Sequence, residues 1–151
     1  MEIELYLNKL KDKLLDKSNW KQLTLTREWT STIPNSAGVY ALKQADTDNL
    51  VYVGETGSLR GRMKDLLDSR HHTVRRTIGE RFYFEIEGFK VATSKLKFPN
   101  HIEILVNDHI CTKLSIGYLE VKLGRKELEE LIQDTINIDI RLNKRGKRKT
   151  N

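Results

Sequence analysis

Two tyrosines, Tyr40 and Tyr52, fall in two short runs of strand character, residues 39–44 and 50–55. The polar turn Ala45-Asp46-Thr47-Asp48-Asn49 joins them. With the hairpin centred on Thr47, Leu42 faces Tyr52 and Tyr40 faces Gly54, and even-numbered residues share one sheet face. The two phenols are then diagonal neighbours about 7–8 Å apart at the backbone, so both rings reach one spot. Gly54 adds no side chain there and leaves the surface open to a ligand. Arg62 comes next, on a helix expected over residues 58–68 with Ser58 as its N-cap. Leu59, Met63, Leu66 and Leu67 form that helix's apolar stripe, and Arg62 and Arg60 lie on its two borders. Arg62 can therefore be half buried with its guanidinium aimed at the tyrosine face. A planar, permanently charged fork in that position suits a phosphate.

A later helix, expected from Arg125 to about Ile138, carries Glu127, Glu129 and Glu130. Its stripe is Leu128, Leu131, Ile132 and Ile136. Glu129 touches the border of the stripe, whereas Glu130 points the opposite way. Arg70, Arg75 and Arg76 cluster in one basic segment that could track a phosphate backbone.

Three groups in sequence order, Gly38-Val39-Tyr40, Tyr52-Val53-Gly54 and Arg62, resemble the GIY-YIG nuclease superfamily. The resemblance covers residues 36–69 strongly and 113–143 more loosely, leaving 1–35 and 70–112 unmatched. It implies a metal-dependent DNA endonuclease that hydrolyses phosphodiester bonds, in restriction, repair or a mobile element. Tyr40, Tyr52, Arg62 and Glu129 would be catalytic, with Glu129 the ligand of one Mg²⁺ (or Mn²⁺). Leu128-Glu129-Glu130-Leu131-Ile132 is similar to the family's glutamate segment. A histidine or lysine helps to activate water in some members; Glu55 stands where lysine is frequent, so His71 or His72 would supply that help. The family's asparagine is matched by Asn143, with Asn137 as a rival. Gly54, Arg60, Arg75, Arg76, Asn143, Lys144 and Arg145 would contact substrate. The alternative is a nucleic-acid-binding module of the same fold without hydrolysis.

These residues need elements to place them. The chain has 151 residues, enough for one domain with a substantial core. The expected class is α/β (α+β): a small, mainly antiparallel sheet flanked by helices. Residues 1–35 read as an N-terminal helical extension packed on the core, starting with an amphipathic helix over 3–15. Residues 36–143 read as the nuclease-like domain and 144–151 as a basic tail. Further helices are expected over 73–81 and over most of 92–108, where Pro99 must interrupt, and strands over 82–89 and 113–123. The net charge is +6, and the six basic residues of the last eleven account for all of it. Such a tail suggests a polyanionic partner, DNA above all. No apolar run approaches the length of a bilayer span. The acidic N-terminal residues do not resemble a signal peptide, and Cys111, the single cysteine, excludes an internal disulfide. A cytoplasmic location is expected, and restriction-type double cutting would call for a homodimer.

Overall fold

The computed structural model describes residues 2–143. Its elements run α1 (Glu2–Leu14), β1 (Lys21–Gln22), α2 (Arg27–Ser31), β2 (Gly38–Gln44), β3 (Leu50–Thr56), α3 (Leu59–Asp65), α4 (Thr73–Phe82), α5 (Asn100–Lys113), β4 (Leu114–Glu120) and α6 (Arg125–Gln133). The four strands form one antiparallel sheet in the order β1-β4-β2-β3. This is the α+β architecture expected from the sequence. The hairpin register is also as expected: Leu42 pairs with Tyr52 and Tyr40 with Gly54.

The period of two divides the core between the sheet's faces. Even-numbered Tyr40, Leu42, Tyr52 and Ile116 pack with Leu59, Met63 and Leu66 of the α3 segment, Val74 and Ile78 of α4, and Ile102, Val106 and Ile110 of α5. Odd-numbered Val39, Ala41 and Val53 pack with Leu14 of α1 and with Leu128 and Ile132 of α6. The tyrosines thus share a face with Arg62, and Glu129 rides on the helix behind the other face.

Two stretches depart from expectation. Residues 82–89 are not a strand but successive turns, with Ile86 N–H donating to Tyr83 O and Phe89 N–H to Ile86 O. The alternating apolar residues Phe82, Phe84 and Ile86 are exposed, and only Tyr83 and Phe89 of this stretch pack on the core. No sheet edge pairs with them; the outer edge of β3 is occupied from the C-terminal side, as described below. Residues 92–99 are likewise not helical; α5 begins only after Pro99, which ends the preceding extended segment and caps the helix. Residues 21–22, within the stretch expected to be a helical extension, supply the edge strand β1 beside β4. Among the described residues no helix is long and apolar enough to cross a membrane.

Candidate active site

Three rings converge where β2 and β3 pass over α4. The Tyr40 and Tyr52 centroids are 5.7 Å apart, and the His72 ring lies 6.2 Å from the first and 5.6 Å from the second. Tyr40 Oη is 3.4 Å from Tyr52 Oη. Each member is set by local structure. The tyrosines come from paired strands. Arg62 comes from α3, whose N-cap Ser58 accepts from Gly61 N–H at 3.0 Å. His72 is the N-cap of α4, and its Nδ1 accepts from Val74 N–H at 3.2 Å.

That cap fixes the histidine's chemistry. A ring nitrogen that accepts a backbone N–H carries no proton, so in the neutral imidazole Nε2 carries it. His72 Nε2 therefore donates to Tyr40 Oη, 2.9 Å away. Arg62 Nε donates to the same oxygen at 3.3 Å. Burial holds His72 well below the usual imidazole range, and the cationic neighbours Arg62, Arg76 and Arg75 push it the same way. His72 is accordingly a neutral donor, not an acceptor for the phenol's proton.

Two donors on one phenol oxygen favour its anion. Burial opposes them and is larger: it raises Tyr40 well above the usual tyrosine value, and the charge of Tyr52 adds to the rise while Arg62 lowers it. Tyr52 is also raised, again by burial first, with Tyr40's hydrogen bond and Arg62 lowering it and the charge of Glu129 raising it. Burial works against the charge of Arg62, but the two phenols outweigh it and hold the guanidinium firmly protonated. Arg62 Nη1 is further pinned by Asp65 Oδ2 and His71 O, both at 3.1 Å. The guanidinium also acts on Tyr52, whose phenol it lowers by charge and hydrogen bonding.

The carboxylate arrives across the edge of β3. An edge strand presents unpaired N–H and C=O groups at every second residue. Here Leu142 N–H donates to Val51 O at 2.7 Å, and the Asn143 side chain takes Val53 N–H at 3.3 Å and gives to Val53 O at 2.8 Å. The next outward group, Glu55 N–H, donates to Glu129 Oε2 at 2.9 Å. Burial raises Glu129 above the usual carboxylate value; the Glu55 N–H bond lowers it, and the charges of Glu55 and Glu130 raise it further. Glu55 itself is paired with Arg125 at 3.2 Å. Glu129 Oε1 takes no hydrogen bond among the described residues.

The donor set bears on a metal. Among the described residues no three His, Cys, Asp or Glu side chains gather as a cage. One carboxylate with an unused oxygen fits Mg²⁺, which keeps several waters and binds through one or two carboxylates plus substrate phosphates.

Other expected site residues are placed differently. Gly54 does not leave an open surface: a Cβ there would lie 2.7 Å from Tyr40 Cζ and Oη, so the glycine makes room for the tyrosine ring. Arg75, expected to track a phosphate backbone, is 1% exposed. Its guanidinium is spent inside the fold on Ser69 Oγ, Leu66 O, Asn107 Oδ1 and Glu103 Oε1. Arg76 Nη1 holds the carbonyls of Ser69 and Arg70, each at 2.9 Å. Together they lock the turn that presents His72. Asn143 spends both ends of its amide on Val53, which makes it a clamp on the strand edge. Arg60 Nε donates to Ile33 O at 2.9 Å. Lys144 and Arg145 lie outside the described residues. Asp65 orients Arg62 from three residues along α3, a spacing at which helical side chains meet.

Fold and hairpin define a catalytic domain of the nuclease class. The chain belongs to the GIY-YIG catalytic domain family, which it matches over residues 5–150, nearly its whole length. The match takes in residues 5–35 and 70–112, for which the motifs gave no resemblance. No curated protein and no solved structure matches the chain.

Proposed function

We propose that this chain is a metal-dependent DNA endonuclease. The observation that carries the reading is the double donation, from Arg62 Nε and His72 Nε2, to the oxygen of Tyr40. Such an oxygen is a prepared proton acceptor once the phenol is ionised. The attacking water gives its proton to Tyr40, its oxygen bonds to phosphorus, and the bond from phosphorus to the 3′ oxygen breaks. Arg62 holds the scissile phosphate and neutralises charge as it develops. Tyr52 orients the water or a phosphate oxygen. Glu129 would hold a divalent cation, Mg²⁺ or Mn²⁺, which supplies charge stabilisation at the phosphate and the departing oxygen. A half-buried carboxylate raised by its surroundings is costly in a pure binding module, which favours hydrolysis over the inactive alternative. Nothing in the fold or the family match supports a homodimer.

The test is nicking of supercoiled plasmid with Mg²⁺, with EDTA, and by the Glu129→Gln chain. Wild type nicks only with the metal, and Glu129→Gln loses at least about a thousandfold in rate, the scale of a lost electrostatic element. It keeps its thermal midpoint, since the glutamine oxygen can still accept from Glu55 N–H. DNA binding without nicking under any metal condition would instead establish the binding module.

A further inference from the structure

Beside the proposed site lies a cleft of about 620 Å³, lined by Arg27, Thr30 and Ser31 of α2, Arg60 and Lys64 of α3, and Leu67, Asp68, His71 and Lys97. Its size is that of an ordinary ligand site. Its charge is one-sided: four permanent cations, Arg27, Arg60, Lys64 and Lys97, face one carboxylate. That carboxylate is already used. Asp68 takes Arg70 Nε at 3.1 Å and Nη2 at 2.7 Å. This two-pronged bond, first among the causes, holds Asp68 well below the usual carboxylate range. Lys97 Nζ stands 3.9 Å from Asp68, beyond hydrogen-bond length. The side chains of Arg27 and Lys64 have no partner among the described residues, and Arg60 is held only through Nε.

A second cavity, of about 610 Å³ at the hairpin turn, sets the contrast. There Arg81 and Lys113 are matched by Asp46 and Asp139, and its His109 is held down to about 4, mainly by burial, so it adds no charge. Of these two cavities, the cleft beside the site is the one with an unbalanced charge to satisfy.

The cleft adjoins the scissile-phosphate position through one shared wall: Arg62 Nη1 binds the carbonyl of His71, a residue of that wall, while Arg60 and Lys64 line the cleft from the other side of α3. We infer that this cleft is the seat of the sugar–phosphate backbone flanking the cut, gripping successive phosphates of the strand that Arg62 holds. Half of it comes from outside the two-tyrosine core: α2 brings Arg27, and the turn before α5 brings Lys97. The phosphate-tracking role expected of Arg75 and Arg76 thus passes to cations that no motif marked. This inference rests on the endonuclease reading for its substrate, but its own measurement is binding.

The experiment compares the Glu129→Gln chain with the same chain carrying Arg27→Gln, Lys64→Gln and Lys97→Gln. Equilibrium binding to a duplex and to a single-stranded oligonucleotide is measured across a salt series without turnover. Three lost phosphate contacts lower the duplex salt slope by about 2.7, at about 0.9 per contact, and the single-strand slope by about 2.1. A fall with only one of the two ligands assigns the cleft to that form. Lys9→Gln, on the exposed surface of α1, leaves the slope unchanged. All three substituted side chains are exposed, so the fold is kept; the single variants, each lowering the slope by about one contact, check this. Unchanged slope and affinity in the triple variant overturn the cleft while leaving nicking by wild type intact. Normal slopes in a wild-type chain that never nicks overturn the hydrolase and leave the cleft standing.

Discussion

Replacing Gly54 by alanine tests the ring cluster with a single methyl group. The new Cβ would stand 2.7 Å from Tyr40 Cζ and Oη and 2.9 Å from Cε1, where ordinary contact is 3.4–4 Å. The end of the ring must therefore retreat by about 0.7 Å or more, the gap between these contacts. A side-chain terminus can give way cheaply when it is loose, but this one is 1% exposed and tied to His72 and Arg62. A shift of that size stretches the 2.9 Å bond from His72 Nε2 past bonding distance. Overpacking costs about 1–3 kcal/mol, or a loss of about 4–8 °C in thermal midpoint at its centre for a chain of this size. Misplacing a reacting group by this distance costs about a hundredfold in rate. The assays are plasmid nicking and thermal unfolding, run on Gly54→Ala, on Tyr40→Leu and on the pair. With leucine at position 40 the methyl group meets no phenol, so the added cost of Gly54→Ala in stability should largely vanish. Wild-type cleavage and an unchanged midpoint in Gly54→Ala would refute the reasoning, and would return Gly54 to an open, ligand-facing surface.

Cleavage should be an alkaline activity. Because burial raises Tyr40, the phenol is protonated at neutral pH and its acceptor form grows as pH rises, so the single-turnover rate climbs about tenfold per pH unit from 7 to 9; a profile peaking near pH 6 would remove Tyr40 as proton acceptor. Arg75→Ala strands Glu103 without its buried partner and should cost about 3–5 kcal/mol in denaturant unfolding, whereas Arg75→Met with Glu103→Leu should recover most of that loss. Equal stability of the single variant and wild type would show that the network is not structural.

The hairpin was legible because two signals agreed: a polar turn fixed its centre, and the period of two then fixed which residues share a face. Arg62 was legible for a similar reason, as a border residue of a stripe read from spacing alone. Glu129 was legible among three glutamates as the stripe-border residue, and the structure puts it half buried at the β3 edge, but its route there was not legible. Periodicity says which side of a helix is apolar; it does not say that the helix lies behind the sheet and reaches round an edge. The arginines of residues 70–76 failed for another reason. Composition treats every arginine as a surface cation, and only tertiary pairing with Glu103 and Asn107 reveals that Arg75 belongs to the interior. Residues 82–89 show the same limit for strands: the apolar alternation of Phe82, Phe84 and Ile86 predicts a buried face, yet all three are exposed, because a strand also needs an edge with open hydrogen bonds.

The outer edge of β3 explains how so small a sheet joins groups from its two faces. Val51 O, Val53 N–H and O, and Glu55 N–H all point away from β2, and burying them without partners would cost about 1–3 kcal/mol each. The chain satisfies them in order with Leu142 N–H, the Asn143 amide and the Glu129 carboxylate. The last of these bonds spends one carboxylate oxygen on structure and fixes the direction of the other. Tyr52, on the same strand, feels that charge from the opposite face. A carboxylate held this way needs no neighbouring acid to position it, which accounts for a site whose only proposed protein ligand for a cation is one glutamate. The same bond makes position 129 intolerant of shortening: aspartate retains the charge, but from the same place on α6 its shorter arm no longer reaches Glu55 N–H.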